Sequence, residues 1–341
     1  MTSAQSKQYE LPVDRPFTEY TKVEDVRTNP AWGKPPEERT LEERLDNGVI
    51  NVDKPPNPTS HEVAAWVRKI LRIKKTGHGG TLDPQVTGCL PTATGRGTKA
   101  VQVLLPAGKE YVGIGALHAP VSEEMVRKVA AEFIGKIYQM PPVRSSVKRR
   151  LRVRTIYYLD MLEVRDRHYL FRTGCQAGTY IRKLCYDIGM ACGVGGHMRE
   201  LRRSRSGPFR EETAVTLHQI KDAAHYYYEE NNPTPLLNII QPIEATMVHL
   251  PYLIIRDNAV DAIAHGASLT APGVVKVSSR IVPKELVAIK TLKGELVALA
   301  EAKVKSKQIL QMDHGVVAKP TRVLMRPGTY PSLWNKDKSE G

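Results

Sequence analysis

Strand-like and helix-like stretches follow one another between residues 48 and 188 without regular alternation, and this order limits the fold more than any other feature. A doubly wound parallel sheet needs a crossover helix after almost every strand. Here Val49-Ile50-Asn51-Val52 is a short β-prone run that enters the rigid loop Asp53-Lys54-Pro55-Pro56-Asn57-Pro58. Thr59 or Ser60 then offers an N-cap, and Val63, Val67, Ile70 and Leu71 recur at helical spacing with Arg68, Lys69 and Arg72 on other faces. Residues 74–84 contain Gly77, Gly79, Gly80 and Pro84 and predict a loop, after which residues 88–90 and 99–105 are apolar. Met125, Val126, Val129, Ala130, Phe133 and Ile134 mark another helix, residues 152–163 and 168–175 predict paired strands, and Ile181, Leu184, Cys185 and Ile188 mark a further helix. The expected class is α+β.

A chain of 341 residues exceeds one small core, so more than one domain is expected. The first 48 residues are rich in charge and proline (Pro30, Pro35, Pro36), with a short helical hint at 40–45, and predict an extension ordered by lying on another surface. A second boundary falls at 242–251, after the polar, tyrosine-containing stretch 225–235. Beyond it, β-prone runs at 252–255, 274–277, 286–290, 296–300 and 316–317 are separated by Gly or Pro, as in a small β-barrel. The expected division is an extension (1–48), a mixed domain (49–248), a barrel (249–334) and a tail (335–341).

Fifty Lys and Arg against 36 acids give a net charge of +14, a field that attracts a polyanion: RNA, DNA or an acidic membrane surface. No apolar run reaches the roughly 18 residues of a membrane span, and the polar N-terminus does not read as a signal peptide. A soluble intracellular protein is expected. Cys89, Cys175, Cys185 and Cys192 form no C-x-x-C pair and lie in apolar stretches, which suits reduced buried thiols better than a disulfide or a metal.

Gly77-His78-Gly79-Gly80-Thr81-Leu82-Asp83-Pro84 is the most informative stretch. A lone carboxylate among glycines, which let a ligand approach the backbone, can act as base or nucleophile. On composition alone an Asp-Pro turn explains Asp83 more readily. The pattern outweighs composition: His78 to Pro84, followed by Thr87-Gly88, closely resembles the active-site motif of the TruB family of pseudouridine synthases. The resemblance runs from about Asn51 to Trp334 and is closest in the dyskerin branch, the catalytic subunits of H/ACA guide-RNA particles. Val52-Asp53-Lys54-Pro55, Leu105-Pro106-Ala107-Gly108-Lys109-Glu110-Tyr111 and Gln139-Met140-Pro141-Pro142 through Arg150 also carry it. So do Gly178-Thr179-Tyr180-Ile181-Arg182 and Glu200-Leu201-Arg202-Arg203-Ser204-Arg205-Ser206-Gly207-Pro208-Phe209.

The resemblance implies a mixed, mainly antiparallel synthase sheet flanked by helices, with a PUA domain as the small β-barrel. It implies isomerisation of uridine to pseudouridine in rRNA or tRNA, directed by guide RNA. Asp83 takes the place of the essential aspartate, which attacks or deprotonates the ribose of a flipped-out uridine. Tyr111 takes that of the aromatic residue stacking on the base, and Arg182 that of the arginine paired with the aspartate. His78 matches a histidine that helps to hold the extruded nucleotide, and Tyr180 and Arg203 match pocket residues. For Lys54, in the first Lys-Pro motif, RNA contact and a structural role both stay open.

Moving the ribose bond from N1 to C5 involves no redox change and no net hydrolysis, so one ionised carboxylate in a sealed pocket can suffice and no metal or cofactor is expected. Unstacking the base costs a few kcal/mol, which an aromatic contact offsets by roughly 1–3 kcal/mol. Arg144, Lys148, Arg149, Arg150, Arg152 and Arg154 form a basic stretch without an acid, starting in a loop where the family has its thumb. This reads as a phosphate clamp, and Arg202 is grouped with it as a further RNA contact. Asp257-Asn258-Ala259-Val260, His265 through Val274 and Lys293 through Ala298 resemble a PUA domain, which implies binding of a guide RNA's terminal ACA and lower stem.

Three departures stand out: Gly79 where serine is usual, the glycine-rich segment 92–98, and Gly113 and Gly115 beside Tyr111, where each is expected to weaken a strand. Three functions are weighed: a guide-dependent synthase, a stand-alone tRNA uridine-55 synthase, and a non-catalytic RNA-binding scaffold. The resemblance also implies a small zinc-ribbon-like protein, a small β-barrel protein near the thumb and a kink-turn-binding protein as partners. Long Lys-rich tails are absent, so the expected location is the cytoplasm of an archaeon.

Overall fold

The computed structural model describes residues 9–140 and 150–332. The larger sheet comprises β2 (Gly48–Lys54), β3 (Thr76–His78), β4 (Thr87–Thr94), β5 (Lys109–Leu117), β6 (Gly135–Gln139), β7 (Arg152–Arg165), β8 (His168–Cys175), β9 (Gly196–Ser206), β10 (Phe209–Arg210) and β11 (Gln241–Pro242). Their order is β11-β2-β4-β9-β5-β8-β7-β6, with β3 on β4 and β10 on β9. Of these pairings only β4 with β9 is parallel, so the mainly antiparallel α+β class is borne out.

The sheet is covered by helices α1 (Leu41–Asp46), α2 (Ser60–Ile70), α3 (Glu123–Glu132), α4 (Ile181–Ala191) and α5 (Leu217–Glu230). α2 begins where its cap predicts: the Thr59 hydroxyl accepts the Glu62 N–H (3.2 Å) and the Glu62 carboxylate accepts the Thr59 N–H (2.7 Å). Val63, Val67 and Leu71 then bury against Ile50, Val52 and Leu90 of the sheet and Ile220 of α5. On the other half, α3 and α4 bury Val126, Val129, Leu184 and Ile188 against Ile156, Leu159, Tyr169 and Phe171. Burial of this kind stabilises by about 1.5–3 kcal/mol per large side chain.

Two readings change here. β3 forms inside the predicted loop because β4 supplies its hydrogen-bond partners, which local glycines cannot reveal. The glycines of β5 do not leave it short of packing. Gly115 lies opposite Tyr169 and Gly113 opposite Phe171, and a Cβ on Gly115 would stand 2.0 Å from Tyr169 Cζ. The rings occupy the space that side chains on β5 would need, and Tyr169 is fully buried there.

The second sheet has the order β1-β14-β12-β15-β16-β17-β13. It comprises β1 (Glu19–Thr21), β12 (Tyr252–Ile255), β13 (Leu269–Thr270), β14 (Val274–Ser278), β15 (Leu286–Lys290), β16 (Leu296–Ala302) and β17 (Val316–Val323). β1 belongs to the N-terminal segment, whose Tyr9 donates to Asp160 (2.5 Å) and whose Asp14 binds Arg205 of β9 (2.8 Å). One segment therefore touches both sheets. The junction itself is apolar, with Val49, Leu104 and Ile243 packed near Leu296, Leu299 and Leu324. Arg39 grips Glu244 there through two bonds of 2.8 Å, and Glu244 also accepts the Leu296 N–H (2.9 Å).

Candidate active site

Asp83 sits on the loop between β3 and β4, and side chains from three elements hold this loop by its backbone. Arg203 of β9, 1% exposed, donates to the carbonyls of Gly80 (3.1 Å) and Cys89 (2.8 Å). The Ser60 hydroxyl, at the start of α2, accepts the Leu82 N–H (2.9 Å) and donates to the Leu82 carbonyl (3.2 Å). The Lys54 ammonium donates to the carbonyls of Pro55 (2.9 Å), Pro84 (2.8 Å) and Val86 (2.9 Å). Gly80, at φ +145°, makes the turn into the loop in a conformation an L side chain rarely adopts. These bonds satisfy carbonyls on both flanks of Asp83 and present its carboxylate without further ordering.

Of the two roles left open for Lys54, these bonds favour the structural one over RNA contact. It is fully buried, and all three donors of its ammonium are committed to carbonyls. Burial pushes its proton affinity below the ordinary lysine range, against the pull of the nearby Asp83 charge.

The Asp83 carboxylate is bonded by the guanidinium of Arg182, in the first turn of α4. Their side chains are 53% and 51% exposed, so the pair contributes little to stability and stays open to a ligand. Both line a cavity of about 450 Å³, within the range of small-molecule sites. Tyr111, Tyr180, Leu201 and Arg203 line it as well. Burial pushes the Tyr111 phenol up, against the adjacent Arg203 charge, so its ring faces the cavity neutral. His78 lies outside the lining; its ring meets His61 edge to face at 4.9 Å, and burial lowers its proton affinity.

Two residues of this site carried no assigned role in the sequence reading. Lys109 lines the cavity two positions before Tyr111, on the same face of β5, and its ammonium donates to the carbonyls of Leu104 (2.6 Å), Leu105 (3.2 Å) and Ala107 (2.7 Å). Burial, with Arg203 nearby, brings its pKa down to about 7. Gln139, 1% exposed, bonds the backbone of Tyr180. Each stands inside a recognisable block, Lys109-Glu110-Tyr111 and Gln139-Met140-Pro141-Pro142, and that was the available signal.

Residues 68–181 match the family described as TruB family pseudouridylate synthase (N terminal domain), and residues 182–248 match tRNA pseudouridylate synthase B C-terminal domain. Residues 251–324 match the PUA domain and residues 8–64 the DKCLD (NUC011) domain. A protein of Methanopyrus kandleri named probable tRNA pseudouridine synthase B is 57% identical over 328 residues, spanning 96% of this chain and 97% of that relative. The chain belongs to the TruB family of pseudouridine synthases.

A relative of the same name from Pyrococcus abyssi is 51% identical, over 95% of this chain and 97% of its own. Among solved structures, a chain of a Cbf5–Nop10–Gar1 complex superposes with a TM-score of 0.92 at 50% identity, covering 95% of this chain and 99% of that one. A chain of an H/ACA RNP bound to a substrate RNA containing 2'-deoxyuridine gives 0.91 at 48% identity, covering 96% and 100%. These place the TruB-family chain in the dyskerin branch. No helix among its described residues is long and apolar enough to cross a membrane.

Its basic residues divide. Arg144, Lys148 and Arg149 lie outside the described residues. Arg150 is exposed, and Arg152 and Arg154 are half-buried at the start of β7. Arg154 donates to the Val153 carbonyl (2.7 Å) and lies against Gly178, beside the cavity. Arg202 differs from these: its guanidinium is held by Asp53 (2.9 and 3.2 Å) and Glu211 (2.8 Å), and these bonds raise its proton affinity. Two carboxylates on one guanidinium leave no net positive charge there for a phosphate.

Proposed function

We propose that Asp83 attacks or deprotonates the ribose of a uridine flipped into this cavity, in rRNA or tRNA selected by an H/ACA guide RNA. The glycosidic bond between C1′ and N1 breaks, the base rejoins through C5, the C5 proton leaves and N1 gains one. The observation that carries this reading is the Asp83–Arg182 pair, open to the cavity on a loop already bonded along its backbone. Tyr111 supplies the stacking surface, Tyr180 and Arg203 shape the pocket, and His78 helps to hold the extruded nucleotide, as the family resemblance implies. Asp83→Asn removes the charge at constant shape and is expected to lower uridine isomerisation by on the order of 10³-fold or more, with RNA affinity within about twofold. A variant as active as the wild type overturns the mechanism; an inactive wild type that still binds RNA favours a non-catalytic scaffold.

Guide dependence is supported by the likeness to a chain of an H/ACA RNP bound to a substrate RNA. The relatives named tRNA pseudouridine synthase B favour a second reading, a stand-alone enzyme for tRNA. Full conversion of one uridine in an unmodified tRNA without guide RNA decides for the second. Under the first, the PUA domain holds the guide's terminal ACA and lower stem, and Arg150, Arg152 and Arg154 with the loop before them position phosphates. A small zinc-ribbon-like protein, a small β-barrel protein and a kink-turn-binding protein complete the particle. Exposed Tyr138, Leu151 and Val153 on the β6–β7 hairpin offer apolar surface for one of these near the thumb. The particle is assigned to an archaeal cytoplasm.

A further inference from the structure

Gln139, the last residue of β6, is almost completely buried, and no step above uses it. Its amide faces the backbone of Tyr180: Oε1 accepts the Tyr180 N–H (2.9 Å) and Nε2 donates to the Tyr180 carbonyl (3.2 Å). A side chain thus copies the pairing one strand residue makes with another. Tyr180 is the residue at which α4 begins, with φ −92° and ψ 99°, and no side chain caps that helix end. Two residues later Arg182 reaches the Asp83 carboxylate.

A second contact ties the same wall to the same hairpin. Gln176 Oε1 accepts the Thr155 N–H of β7 (3.2 Å), and the Gln176 N–H donates to the Thr155 carbonyl (2.8 Å). Residues 176–182 therefore take their register from the β6–β7 hairpin. The Asp83–Arg182 pair is half-exposed, so its geometry depends on where the backbone starts α4.

We infer that Gln139 is a positioning residue for the isomerisation, setting the start of α4 through the Tyr180 backbone and with it the approach of Arg182 to Asp83. This rests on the reading of Asp83 as the reacting carboxylate. Loss of the amide leaves the Tyr180 N–H without its partner, while the Tyr180 carbonyl keeps the helical Leu184 N–H (3.0 Å). Displacements of about 1 Å in such a constellation cost roughly 10²-fold in rate.

The test uses the full chain reconstituted with an H/ACA guide RNA and a matching substrate RNA, under single turnover. Gln139→Met, similar in length but without amide donors or acceptors, is expected to lower the rate about 10- to 100-fold with RNA affinity within about twofold. Gln139→Glu, which keeps the acceptor and loses the donor, is expected to fall between; it carries the test if the Met variant does not fold. In an Arg182→Lys background Gln139→Met should cost less than about threefold more, because both changes act on one interaction. Wild-type rates in both Gln139 variants, or losses that multiply fully with Arg182→Lys, overturn the inference. If Asp83→Asn is inactive while Gln139→Met is not, only the inference fails; an active Asp83→Asn removes the reading beneath it.

Discussion

The wall that carries Asp83 is held by two buried cations and the Ser60 hydroxyl, whereas the wall that carries Arg182 is held by neutral amides. On the first, Lys54 and Arg203 donate to carbonyls from positions closed to solvent. On the second, Gln139 and Gln176 join residues 176–180 to the β6–β7 hairpin. Charge-assisted bonds are roughly twice as strong as neutral ones, and removing a buried ionic donor strands several carbonyls at once. The difference teaches that the loop of the carboxylate is fixed by charged donors, while the backbone leading to its arginine partner is set by neutral side-chain contacts with the hairpin.

The largest expected effect on that comparison is from Lys54→Met, which leaves the carbonyls of Pro55, Pro84 and Val86 without their donor. A stability loss of about 3 kcal/mol or more is expected in denaturant unfolding. A loss below about 1 kcal/mol would break the distinction between the walls.

Lys109 sharpens it through pH. Its folded-state pKa is about 7, below the ordinary 10.5, because burial disfavours the ammonium. Between these values the unfolded chain holds a proton the folded chain has released, so this group's contribution to stability rises with pH across that window and is least favourable below it. Melting curves should show the wild type gaining on Lys109→Met as pH rises from 7 towards 9; a constant difference would contradict the assignment.

The smallest effect separates exposed from committed cations. Arg150→Ala is expected to reduce the salt dependence of RNA binding by about one ion. Arg202→Ala should leave that slope unchanged, since Asp53 and Glu211 already neutralise its charge. Equal slopes for the two variants would show that exposure does not sort these residues.

Much of the local structure was legible. The cap at Thr59, the apolar spacing of α2 and the pairing of β7 with β8 follow from chain-local rules. The Asp83 segment was legible as a loop from its glycines and proline, and as a site from its resemblance to the TruB active-site motif. β9 was not, since four arginines in a strand obscure the alternation of burial, and Asp53, Gly80 and Asp14, which Arg202, Arg203 and Arg205 bond, lie far along the chain. The partners of Lys54 and Arg202 were not legible for the same reason: a cation in a sequence looks the same whether it meets a phosphate, a carboxylate or a buried carbonyl.

The amino-acid sequence by itself determined the class of fold, the TruB family and the loop that presents Asp83. Those rest on periodicity, turn chemistry and a motif, all local in the chain. The tertiary structure decided that the Lys54 ammonium is committed to carbonyls and the Arg202 guanidinium to carboxylates, why β5 tolerates Gly113 and Gly115, and that the Gln139 amide pairs with the Tyr180 backbone. Those outcomes depend on burial and on partners tens to hundreds of residues away, which no local pattern records.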